Sequence, residues 1–146
     1  MKLAATLAAA AFATLALAAS TAAAAPSSPG DALSQACFAR AKIGSETAMI
    51  AGQVIAPGTP ANVRSQLQAI RMNLGTIRGT FPSLPPAVRR RWVAASTAFV
   101  RLLGRITPTL LRAPSGPAPP AQFARFRVAS QLARPVFQRT FGQLAC

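Results

Sequence analysis

The side chains that could carry chemistry in this 146-residue chain are few. It has two cysteines (Cys37 and Cys146), two carboxylates (Asp31 and Glu46), and no His or Tyr. General acid-base work, nucleophile activation and metal ligation usually draw on the residue types that are missing or scarce here. If both acids stand on one helix, fifteen residues at the helical rise separate them by about 22 Å. Paired glycosidase carboxyls sit about 5 to 10 Å apart, so the two cannot work as such a pair. Each acid has a structural role to fill instead. Asp31 falls where a helix start needs an acceptor, and Glu46 is four residues from Lys42, the spacing of a surface ion pair. A Lys42/Ser45 base and nucleophile pair can be drawn, but such spacing occurs on any helix. We therefore expect no catalytic residues and no enzyme activity.

Cofactor chemistry is equally poorly supplied. A haem carrier needs an axial His, Tyr, Cys or Met, and beyond Met1 and the cysteines only Met49 and Met72 remain. In a helical hairpin they would be offset by about 9 Å along the axes. Both are expected in the core or at its boundary, filling gaps. No cofactor and no metal are expected.

The first residues give the cysteines their setting. Met1-Lys2, then an Ala/Leu-rich stretch over 3–19, then Ala22, Ala23, Ala24 and Ala25 have the layout of a secretory signal peptide. The expected division is a signal over 1–25, cleaved near Ala22 to Ala25, and a single domain over 26–146. An uncleaved anchor is the competing reading, since the stretch reaches the lower limit for spanning a bilayer; its alanine richness argues against one. No twin-Arg pair precedes the stretch and no lipobox precedes Cys37. The expected location is secreted or periplasmic. In an oxidising compartment Cys37 and Cys146 are expected to pair, closing a loop of about 110 residues whose entropy contributes about 4 to 5 kcal/mol.

What remains is positive charge. The chain carries 16 Lys+Arg against 2 Asp+Glu, a formal +14. Removing Lys2 with the signal leaves 15 cations and 2 acids, so 13 have no acid of their own within the chain. Arg64, Arg71 and Arg78 recur every seven residues, each one step past an apolar position. Arg89, Arg90 and Arg91 open a helical segment, where the dipole disfavours cations by about 0.3 to 1 kcal/mol each. These six arginines are the expected anion-binding residues. Their expected partners are anionic lipid head groups or other envelope polyanions, with peripheral membrane association. The bland alternative is a solvated face: Arg over Lys, with much Ala, Pro and Gly, fits a GC-rich coding bias, though that does not account for the shortage of acids. Phe123, Arg125, Phe126 and Arg127 interleave rings and cations, but both rings fall on a helical stripe, and sequence-specific nucleic-acid reading is not expected.

These residues have to be held by something, and the thirteen prolines sort the chain into four segments. In the second, Val63, Leu67, Ile70, Leu74, Ile77 and Phe81 follow spacings of three and four, an amphipathic helix with Thr59-Pro60 at its start. The third carries Val88, Trp92, Ala95, Phe99, Leu102, Ile106 and Leu110, with Pro108 threatening its last turn. The fourth carries Phe123, Phe126, Ser130, Ala133, Phe137, Phe141 and Leu144, with a bend expected at Pro135. The first spans about 31–55, with Leu33, Ala36, Cys37, Ile43, Ile50 and Val54 on a broad Ala-rich face. No stretch alternates with period two, so the expected fold is all-α: an up-down-up-down four-helix bundle closed by one N-to-C-terminal disulfide. In that topology the start of the first helix and the end of the fourth lie at one end, where the two cysteines fall. Two other functions fit the same composition. One is a carrier of a small apolar ligand (lipid or haem-like) inside the bundle, lined by Trp92, Phe99, Phe123, Phe126 and Phe137. The other is a membrane-active cationic protein.

Overall fold

The computed structural model describes residues 28–53, 59–114 and 119–146, and these are helical, with no strand among them. The order is α1 (Pro29–Ala51), α2 (Thr59–Thr80), a single 3-10 turn (Phe81–Ser83), α3 (Pro86–Leu111) and α4 (Pro120–Phe141). The signal segment 1–25, Val54 and Ile55 lie outside the described residues.

The starts of three helices can be traced to their sequence. Ser28 caps α1: its Oγ accepts the Asp31 N–H at 3.1 Å while its hydroxyl donates to the Asp31 carboxylate at 2.8 Å. The cap is thus Ser28 and not Asp31, which sits in the first turn, where a carboxylate also suits the helix dipole. Paired prolines open α3 and α4, with Pro85 and Pro119 in the extended conformation that precedes a proline.

The helices form a ring. α1 packs on α2 and α4, and α3 on α2 and α4, while the backbones of the diagonal pairs stand farther apart; α2 and α3 make the slightest seam. Cys37 on α1 meets Cys146 past α4, Gly44 meets Phe137, and the amide of Gln53 donates to the side-chain carbonyl of Gln66 at 3.4 Å. The core runs through the middle of this ring. Its α2 stripe is the expected one, with Val63, Leu67, Ile70, Leu74 and Ile77 buried and Phe81 half-buried. On α4 the buried rings Phe126, Phe137 and Phe141 share the inner face with Ala129, Ser130 and Ala133. Phe99 touches Phe141 with centroids 5.2 Å apart and Phe137 at 6.5 Å; Trp92 touches Phe141 at 6.3 Å.

Several expectations need correction. Pro108 does not end α3, which continues to Leu111, and α4 likewise runs on past Pro135. Each ring is exposed, as are Gly104 and Gln131, whose carbonyls lose their usual N–H donor, so water can serve those groups. On α3 it is Leu103 that is buried, with Leu102 half-buried. The inner face of α1 is Ala32, Ala36, Ala39, Ile43, Thr47 and Ile50; Leu33 and Cys37 flank it. Met49 and Met72 are exposed, each about 100° or more around its helix from the nearest inward residue line. Lys42 does not pair with Glu46: its ammonium stands 5.1 Å from the centre of the exposed Phe38 ring.

One glycine is dictated by packing. A Cβ at Gly44 would come within 2.9 Å of the Phe137 ring, so α1 and α4 approach here on the strength of a missing side chain.

Candidate functional site

The staple comes first because it fixes one end of the bundle. Cys37 and Cys146 are bonded, with Cα atoms 5.6 Å apart, inside the usual range for a disulfide. Arg40, one turn on from Cys37, is half-buried beside it. Its Nη1 donates to the Leu144 carbonyl at 2.8 Å and to the Cys146 sulfur at 2.9 Å. Sequence reasoning passed over this arginine, since nothing local distinguishes it from the others; its partners are more than a hundred residues away. A cationic donor on a carbonyl of the tail holds the last residues against α1. Arg40→Gln is expected to cost about 1 to 3 kcal/mol, read as a lower denaturant midpoint of the oxidised protein at unchanged slope; an unchanged midpoint would remove this role.

The other thirteen arginines are all exposed. Among the described residues none of their guanidinium groups makes a hydrogen bond or an ion pair, and both acids stand on α1. Arg64, Arg71 and Arg78 line one flank of α2 over about 21 Å, because a seven-residue step returns to within about 20° of the same face. That flank borders α3, for Arg71 lines the seam between the two helices together with Leu67, Ile70, Leu74, Val100, Leu103, Gly104, Thr107 and Pro108. Arg89, Arg90 and Arg91 are consecutive on α3, so they fan over about 200° rather than converge on one point. The single turn between α2 and α3 brings Arg78 and Arg89 to the same end of the bundle, the end where Trp92 meets Phe141. Arg64 is at the other end.

The start of α3 has a further property. Pro85 makes no side-chain cap and Pro86 has no N–H to offer, so the N–H groups of Ala87 and Val88 start the helix uncapped, and Arg89, Arg90 and Arg91 follow them directly in the chain. The dipole and the guanidinium charges add there, and the two are relieved together by an anion.

The aromatic residues considered as a ligand lining are packed ring on ring. Trp92, Phe99, Phe126 and Phe137 are buried and Phe123 is half-buried. Of these, Phe137 borders a recess of about 310 Å³ beside the disulfide and Arg40. Among the described residues no group of three or more His, Cys, Asp or Glu could hold a metal ion, and no helix is long and apolar enough to cross a membrane.

Comparison with known protein families, with curated proteins and with solved structures finds no match to this chain.

Proposed function

We propose that this chain is a non-enzymatic, exported protein that adheres to anionic envelope components through its arginines. It sits peripherally on its partner and does not read nucleic-acid sequence. The observation that carries this reading is the set of thirteen exposed arginines with no acid beside them, set against two carboxylates that both lie on α1. Unpaired like charges repel one another, and an external polyanion relieves that repulsion while solvent only screens it. The uncapped start of α3 among Arg89, Arg90 and Arg91 supports placing the strongest contacts there.

The reading includes a secretory signal over 1–25, a mature domain over 26–146 and a secreted or periplasmic location, with which the disulfide is compatible. It also includes an up-down-up-down order of helices. Support for that order comes from three pairings: Gly44 with Phe137, Gln53 with Gln66, and Trp92 with Phe141.

The test is binding of the oxidised mature protein to anionic vesicles, neutral vesicles, lipopolysaccharide and duplex DNA across a salt series. Replacing Arg89, Arg90 and Arg91 together with Gln is expected to weaken binding to anionic vesicles about 100-fold, from about 1 kcal/mol per arginine at the surface. Helicity should not change. Affinity that stays level as salt rises would overturn the electrostatic account, because such contacts weaken with screening.

A further inference from the structure

The exposed arginines divide into two kinds of surroundings. Arg89, Arg90 and Arg91 fan into water, whereas Arg71 stands at the edge of an apolar groove of about 230 Å³ between α2 and α3. The lining of that groove is mostly aliphatic, with Leu67, Ile70 and Leu74 from α2 and Val100 and Leu103 from α3, and has no aromatic ring and no acid. It lies at the seam where neighbouring helices touch least. Val100 is left 40% exposed there, and at Gly104 a Cβ would meet nothing within 4 Å, so the groove wall is open at that point. Arg71 is the groove's one cation; Arg64 and Arg78 stand two turns before and after it on the same flank of α2, beyond the lining.

We propose that this groove binds a single-chain carboxylate amphiphile, its aliphatic chain laid along Leu67, Ile70, Leu74, Val100 and Leu103 and its carboxylate on the Arg71 guanidinium. The volume falls below the range of about 300 to 1,000 Å³ that accommodates bulky ligands, which favours a slender chain over a ring system. The planar fork of arginine matches a carboxylate with two parallel hydrogen bonds. The protein supplies no carboxylate of its own to this groove, since neither Asp31 nor Glu46, both on α1, is among its lining residues. Covering Val100 and the open wall at Gly104 removes apolar surface from water, which is the drive for the chain.

The proposal deepens the adhesion reading by giving Arg71 a discrete ligand, and its test separates the two. Dodecanoate, dodecanol and acetate are titrated by calorimetry into the oxidised protein, below micelle formation and at about 150 mM salt, where exposed charge is screened. The expected result is one dodecanoate per chain, bound at least about tenfold more tightly than dodecanol, with no acetate binding. Arg71→Gln should reduce dodecanoate to the level of dodecanol. Gly104→Leu fills the groove from a position with room for the side chain; it should lower dodecanoate affinity at least about tenfold while circular dichroism and binding to anionic vesicles stay as in the wild type. Dodecanoate bound no better than dodecanol, or bound equally by Gly104→Leu, would overturn the proposal. Arg71→Gln lies on an exposed residue and tests it independently of any effect of Gly104→Leu on folding. Loss of vesicle binding with dodecanoate binding intact would instead count against adhesion alone.

Discussion

Replacing Cys37 with serine is expected to lower the stability of the folded chain by about 4 to 5 kcal/mol. The bond joins residues 109 apart in sequence, so its removal restores to the unfolded chain nearly all the freedom of a loop as long as the domain itself. Marginal stabilities of about 5 to 15 kcal/mol make this a large fraction of the total. The native state loses something as well, because the tail that Arg40 holds through the Leu144 carbonyl and the Cys146 sulfur is no longer tethered. Thermal unfolding of Cys37→Ser should begin about 10 to 25 °C below that of the oxidised wild type. Reduced wild type should melt with the variant, since both lack the same constraint. A shift of only a degree or two would show that the bundle does not depend on its staple.

The second large effect belongs to Phe141. Its ring is fully buried and meets Trp92, Phe99 and Phe137 with centroids 6.3, 5.2 and 5.8 Å away. Phe141→Ala therefore removes the shared member of an aromatic cluster that ties α3 to α4, at a cost of about 3 to 5 kcal/mol. Trp92 is the chain's one tryptophan, so its fluorescence reports the change directly. Denaturant titration followed at Trp92 should show the loss in midpoint, and the native emission should move to longer wavelength as water reaches the indole. Phe38→Ala is the control: that ring is 67% exposed, and its removal should change stability by less than about 0.5 kcal/mol. Equal costs at the two positions would mean that the burial of Phe141 does not decide its contribution.

The helices were legible where apolar and polar residues contrast. On α2, Leu and Ile alternate with Gln, Arg and Asn, and the inward line is the one the spacing predicts. On α1 the contrast is weak, because alanines stand on both inner and outer faces; Ala36 and Ala39 are buried while Ala41 and Ala48 are exposed. Leu102 and Leu103 both continue a helical stripe from Phe99, and spacing cannot choose between neighbours of equal hydrophobicity. Pro108 misled in the other direction, since a proline facing water costs a helix one donor and leaves a carbonyl that solvent can reach.

The cationic surface was legible from charge arithmetic alone, because acids that do not exist cannot cover arginines. Its division was not. The different settings of Arg71, at an apolar seam, and Arg90, in water, depend on which flank of α2 turns toward α3, and that is a property of the packed ring. Arg40 shows the same limit from the other side: its role comes from a tail that reaches it only after the whole chain has folded back.

That folding back has a topological consequence. From Cys37 to Cys146 the polypeptide and its cross-link form one closed covalent circuit, and every connector between helices is a segment of it. Cutting a circuit once opens it without dividing it. A single peptide-bond cleavage anywhere between the two cysteines leaves both pieces on one molecule, their rejoining faces held at a concentration set by the tether and not by dilution. Release of a fragment needs either a second cut or reduction, so the staple converts the first proteolytic event from a loss into a nick.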